Sequence, residues 1–232
     1  ITLSEREKMT HLYTDLFIAK FSFWPYLSAS QKMDLSDQTQ LRQYKKGEIL
    51  YESKETCLGV ALIKTGQLRA YILSEDGREV TLYRLFPGDV GILTASCVLQ
   101  AVSYHVFVEA DADTQVLLTA SEIFGKLVGN NIYVRCFAYE MASARLSEML
   151  WTLQQILFLS ADKRLALFLL EESKKKASDR LLLTQEQIAS YMGSAREVVS
   201  RLLKYFAAEK IVRPERGSVT ILDRKKLEQL VE

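Results

Sequence analysis

The chain has 232 residues, 48% hydrophobic and 25% charged, with a formal net charge of +1, which fits a globular protein of one large or two smaller domains. No apolar run approaches the ~20 residues of a membrane span, so a membrane partner is not expected. Three separated cysteines at 57, 97 and 136 exclude a disulfide framework or a C-x-x-C zinc site and fit a reducing, cytoplasmic setting.

The neutral total hides an asymmetry. Residues 163–232 carry 15 Lys+Arg against 10 Asp+Glu, and the rest of the chain 15 against 19. A basic C-terminal third beside an acidic remainder suits a module that faces DNA joined to one that does not, although a solvated basic face has the same composition. The opening I-T-L-S-E-R-E-K lacks the basic region and apolar core of a signal peptide. Because the chain begins at Ile1, a native segment ahead of it is left open.

Residues 4–22 have amphipathic helical spacing, and Ser28 with Gln31 predicts the start of a second short helix. From Leu41 to Phe124 the texture changes to short apolar runs punctuated by Gly47, Gly66, Gly77 and Gly88. Leu58–Ile63, Leu68–Leu73, Glu79–Leu85 and Tyr104–Ala110 read as strands, and E-D-G-R as a tight turn between two of them. Many short strands with regular turn signals predict a small β-sandwich or β-roll.

From Ala120 to Leu159 the periodicity becomes helical and long. Tyr139, Ala142, Leu146, Met149, Leu153 and Ile156 step by three and four, the spacing of a coiled-coil seam. A second apolar stripe runs through Val134, Phe137, Met141 and Ala144. A helix with two stripes needs two partners: the β-roll and either a second copy of itself or more of the same monomer. Ser160-Ala161-Asp162 caps a further helix, Lys163–Lys176, whose Leu165, Phe168, Leu169 and Leu170 face inward. The expected organisation is α+β, with a β-roll sensor and N-terminal helices over 1–125, a long dimerisation helix over 126–159 and a winged helix-turn-helix over 160–232. The boundary falls near 157–163.

Leu183 to Phe206 carries the most information. Thr184 and Gln187 have capping-box spacing, Ile188 and Met192 share a face, and Gly193 suits the turn. Ser194 and Glu197 read as a second capping box. Val198, Val199, Leu202, Leu203 and Phe206 fill the inward side of the second helix. Arg196, Glu197, Ser200, Arg201 and Lys204 are left on its first turns and outer face. Arginine pairs bidentately with guanine and a glutamate accepts from cytosine N4, so this is the side-chain set of a recognition helix in a major groove. Glu197 serves the cap, a base edge or both. Further on, Ile211-Val212 and Val219–Leu222 flank R-P-E-R-G-S, a hairpin with Gly217 in its turn. Its Arg213 and Arg216 either touch phosphates or are solvated.

The run G-S-A-R-E-V-V-S-R-L-L-K resembles the recognition helix of the CRP/FNR superfamily of bacterial transcription regulators. The likeness extends over nearly the whole chain. It implies a cyclic-nucleotide-binding-type β-roll, a dimer through the long helix, and double-stranded DNA with a pseudo-palindromic operator as partner, together with RNA polymerase. It also implies base-edge roles for Arg196, Glu197, Ser200 and Arg201 and phosphate contacts from Thr184 and Gln185. Effector binding would alter the spacing of the two recognition helices, which fit successive major grooves ~34–36 Å apart.

The pocket departs from the cyclic-AMP receptor branch. Ile92 stands where that branch has a glutamate, Tyr104 and His105 where it has an arginine and a serine, and Met149 and Leu150 where it has hydroxyl residues. An unpaired buried phosphate costs about several kcal/mol, so neither cyclic AMP nor cyclic GMP is expected and the effector is unidentified. An iron–sulfur cluster needs four placed cysteines and is excluded by three. Haem would rest on His105, Cys97 or Cys57, and thiol sensing on Cys97. An unpaired His or Cys is more often structural, so no cofactor is assigned. A cupin-like enzyme would need a His and carboxylate cluster, which His11 and His105 do not make. A ligand-binding protein acting through a protein partner, or a redox or haem variant of the regulator, is the alternative.

Overall fold

The computed structural model describes residues 13–52, 59–75, 77–92 and 106–231. They divide into two compact units: the chain up to Ala70 with Tyr83–Glu148, and Tyr71–Leu82 with Met149–Glu232.

In the first unit, residues 13–20 (α1) lead through a 3-10 turn at Trp24–Tyr26 to α2 (Ala29–Asp37). Ser28 caps α2 reciprocally with Gln31: Ser28 Oγ accepts from the Gln31 N–H at 3.2 Å, and Gln31 Oε1 accepts from the Ser28 N–H at 3.0 Å. Eight strands follow among the described residues: β1 (Thr39–Tyr44), β2 (Ile49–Glu52), β3 (Val60–Thr65), β4 (Leu68–Leu73), β5 (Glu79–Leu85), β6 (Val90–Ile92), β7 (Phe107–Ala110) and β8 (Thr114–Thr119), the 71–82 portions of β4 and β5 being part of the second unit. They form two four-stranded sheets, β1-β8-β3-β6 and β2-β7-β4-β5, in keeping with the small β-sandwich or β-roll that the turn spacing predicts. β4 and β5 coincide with their predicted ranges. β3 begins at Val60, and Leu58 of its predicted range lies outside the described residues, as do Tyr104 and His105 of the last predicted strand.

β3 is buried along Val60-Ala61-Leu62-Ile63 because it is covered on both sides. Ala61 and Ile63 join Leu68, Val108 and Val116 in the core of the sandwich. Val60 and Leu62 face the other way, into an aromatic cluster of Phe17, Phe21, Phe23, Phe124 and Phe137.

The long helix expected over 126–159 is interrupted, and its span is shared by two helices, α3 (Ser121–Asn130) and α4 (Ile132–Phe158). Asn131 adopts an extended conformation between them. Its N–H donates to the Leu127 carbonyl, closing α3, while its Oδ1 accepts from the N–H groups of Tyr133 and Val134, opening α4. The second apolar stripe is buried at Val134 and Phe137 and partly buried at Met141, but Ala144 is exposed.

The second unit contains α5 (Ala161–Lys176), β9 (Arg180–Leu181), α6 (Gln185–Met192), α7 (Arg196–Ala208), β10 (Val212–Glu215), β11 (Ser218–Ile221) and α8 (Arg224–Val231), with sheet order β10-β11-β9. Leu165 and Leu169 of α5 share one core with Ile188, Val199, Leu203, Phe206, Val219 and Leu227. Asp162 in the first turn of α5 has its carboxyl held below the usual range, chiefly by a hydrogen bond from Ser160.

Candidate nucleic-acid interface

Helix α6 begins where its capping box predicts. Thr184 Oγ1 accepts from the Gln187 N–H at 3.2 Å, and Gln187 Oε1 accepts from the Thr184 N–H at 3.0 Å. It ends at Gly193, which is left-handed at φ 59°. The Ser194 N–H then bonds the Ala189 carbonyl at 2.9 Å and the Gly193 N–H the Ser190 carbonyl at 3.4 Å, a Schellman closure. This corrects the second capping box: Ser194 completes α6, and the N-cap of α7 is Ala195, with no side-chain cap.

Helix α7 is sharply two-sided. Val199, Leu203 and Phe206 are fully buried, and Val198 and Leu202 partly so. Arg196, Glu197, Arg201 and Lys204 are exposed, with Ser200 half-buried at their edge. The acidic Glu197 in the first turn complements the positive end of the helix dipole. The predicted residues therefore share one outward surface, while Ser194 sits half-buried at the turn.

The wing forms from β10 and β11, with Gly217 at φ 78° in its turn. Between the wing and the start of α6 lies an open cleft of about 450 Å³ whose lining includes Thr184, Gln185, Glu186, Arg196 and Arg216. Arg213 Nε is 3.3 Å from Glu215 Oε1, and Arg180 approaches the other oxygen of the same carboxylate at 3.6 Å. Arg196 Nε lies 3.5 Å from Glu186 Oε2. Among the described residues, Arg201 and Lys204 make no ion pair within 4.0 Å.

Two residues here escaped the sequence reading. Glu186 is ten positions from Arg196, and only the packing of the two helices brings them together. Arg164 of α5 donates to the Met192 carbonyl at 3.3 Å beneath the turn. Burial, followed by the charge of Arg78, lowers its pKa.

Of the expected pocket residues, Tyr104 and His105 lie outside the described residues, as do Cys57, Cys97 and His11. Ile92 ends β6, with its side chain outside them too. Met149 is half-buried on α4 and Leu150 exposed. Of the seam residues, Tyr139, Leu146 and Leu153 are about half exposed and Ala142, Met149 and Ile156 partly buried. No described helix is long and apolar enough to cross a membrane.

The Crp-like helix-turn-helix domain model matches residues 163–230, and the cyclic nucleotide-binding domain model matches residues 41–131. A solved structure of a CRP/FNR-family transcriptional regulator from Eubacterium rectale is 41% identical, with a TM-score of 0.85, covering 92% of this chain and 99% of that one. The anaerobic regulatory protein of Haemophilus influenzae is 27% identical over 219 residues, 89% of this chain and 82% of its own length. The cyclic AMP receptor protein of Thermus thermophilus is 25% identical over 203 residues, 87% of this chain and 93% of its own length. The chain belongs to the CRP/FNR family of transcriptional regulators, with a cyclic-nucleotide-binding-type domain ahead of a DNA-binding helix-turn-helix.

Proposed function

We propose that the chain works as a cytoplasmic homodimer that reads a pseudo-palindromic duplex through α7, with RNA polymerase as its protein partner and without enzymatic activity. An effector other than cyclic AMP, held in or near the sandwich, controls it. The observation that carries the reading is the division of α7 into a buried apolar side and an exposed edge of Arg196, Glu197, Arg201 and Lys204. Arg196 and Arg201 suit guanine edges, Glu197 a cytosine amino group, and Ser200 either kind of base. Lys204 suits a phosphate, Thr184 and Gln185 add polar groups at the start of α6, and Ser194 adds one at the turn.

Dimerisation is supported by the apolar surface that α4 leaves open. Leu146, Leu150, Trp151, Leu153 and Leu157 are each about half exposed or more. Burying such a side chain contributes about 1.5–3 kcal/mol, and a second copy presents the same heptad stripe.

Arginine and lysine variants separate base reading from charge alone. Arg201→Ala should relax preference at one base position and cost about 1–3 kcal/mol of specific binding. Lys204→Ala should weaken all sequences alike and lower the salt slope by about one. Competition assays on a selected operator decide: an Arg201→Ala protein with unchanged preference at every position would sink the assignment of α7.

A further inference from the structure

Glu186 puts a carboxylate on the surface that the proposed function turns toward DNA. It lies in the first turn of α6, lines the same cleft as Arg196 and the wing residue Arg216, and approaches Arg196 Nε at 3.5 Å. The two side chains are 68% and 64% exposed, and an ion pair so open to water contributes little to folding. Nor does α6 need it as a cap, since Thr184 and Gln187 already satisfy each other there. A negative charge facing a polyanion lowers affinity for every sequence, so its placement asks for a role in discrimination.

The guanidinium supplies one. It is a planar fork with two usable edges. A carboxylate 3.5 Å from Nε faces the proximal edge, leaving the two terminal nitrogens for guanine O6 and N7. Once the duplex excludes water, the pair strengthens as the local dielectric falls. Where the base under Arg196 is not guanine, the arginine finds no acceptor pair and Glu186 still repels the backbone. Attraction to one base and repulsion from the remainder are the two components of specificity.

We propose that Glu186 is a positioning and specificity-determining residue, which braces Arg196 for a guanine and suppresses binding to duplex lacking that base. This rests on the assignment of Arg196 to a base edge. The experiment uses the full chain, an operator selected by the wild type from a randomised duplex library, and unrelated duplex of equal length. Glu186→Gln should lower the preference for guanine at one operator position roughly tenfold, strengthen binding to unrelated duplex, and steepen the salt slope by about one. Glu186→Asp keeps the charge and should hold affinity for unrelated duplex at the wild-type level. In an Arg196→Ala background, Glu186→Gln should leave base preference unchanged and raise binding to the operator and to unrelated duplex alike. Wild-type preference at every position in Glu186→Gln overturns the proposal while leaving Arg196 as a reader. Wild-type preference in Arg196→Ala removes the reading beneath it.

Discussion

Thr81 on β5 donates its hydroxyl to the Ser190 carbonyl in the last turn of α6 at 2.9 Å. The last carbonyls of a helix lack intrahelical partners, so this bond supports the end of the first helix in the helix-turn-helix. Thr81 is only 7% exposed. Beside it, a Cβ added to Gly193 would lie 3.2 Å from both methyl carbons of Val80. Residues of the segment 71–82 thus seat against the turn that sets the angle between α6 and α7.

Two substitutions test that seat. Thr81→Val preserves shape but removes the donor, which should cost about 0.5–1.5 kcal/mol. Gly193→Ala forces an L residue into the left-handed region, at about 1–2 kcal/mol, and meets Val80. Urea unfolding followed by a probe in the second unit should show both losses, the Gly193→Ala loss being the larger. An unchanged midpoint for Gly193→Ala would mean that the turn does not depend on glycine.

Acid should loosen the second unit through Asp179. Its carboxylate receives hydrogen bonds from Arg224 at 2.8 Å and Ser173 at 2.7 Å, and these hold its pKa below the usual carboxylate range, with Arg224 the larger cause. Arg224 also donates to Ser173 Oγ. A folded pKa below the unfolded one gives stability that is fully present above the unfolded value and lost as pH falls through the folded value. The side chain is about half exposed, so solvent screening keeps the effect small. Asp179→Asn should be less stable than wild type at pH 7, with the gap closing below about pH 4. A gap that stays constant down to pH 3 would locate the loss elsewhere.

The local signals of α6 and its turn were legible in sequence because each is a short-range backbone requirement. Thr184 with Gln187 is a cap and Gly193 a left-handed residue, whatever surrounds them. The start of α7 was misplaced because Ser194 satisfies a cap pattern on paper, whereas its N–H is already taken up in closing α6. The sandwich was readable as a class, and β4 and β5 strand by strand, but β1 and β8 were not. β1, T-Q-L-R-Q-Y, and β8, T-Q-V-L-L-T, owe their strand state to six paired positions with each other, from Thr39 opposite Thr119 to Tyr44 opposite Thr114. The break at Asn131 was hidden by apolar spacing that continues across it, although Gly129-Asn130-Asn131 is a stop signal. Glu186 was invisible for a different reason: its significance exists only once two helices cross.

The dimer reading makes Leu146 decisive. It is 54% exposed on α4, in step with Tyr139 and Leu153. Leu146→Glu would set two like charges facing each other across an apolar seam, a desolvation and repulsion penalty without compensation. The variant should sediment as a monomer, bind single half-sites weakly and lose the operator. A monomeric wild type, or a Leu146→Glu protein that stays dimeric, would remove α4 from the interface.

Cyclic AMP and cyclic GMP should give no saturable heat at micromolar concentration in calorimetric titration. The sequence offers Ile92, Tyr104, His105, Met149 and Leu150 where a cyclic-AMP receptor has its anion grip and hydroxyls. The described structure adds a second reason. The arginine that α4 directs at β6 is Arg145, and its two terminal nitrogens are already committed. Its Nη1 lies 2.8 Å from both oxygens of Glu148, its Nη2 donates to the Val90 carbonyl at 3.3 Å, and its guanidinium sits 5.2 Å from the Tyr83 ring centre. Arg84, next to the preceding turn, stacks on Phe86. A phosphate entering here would have to displace Glu148 from Arg145 or be desolvated without a cation, at a cost of about several kcal/mol. Micromolar binding by either nucleotide would overturn this reading. If Arg145→Ala then abolished that binding, Arg145 would be the missing grip, with Glu148 as the group it exchanges for phosphate.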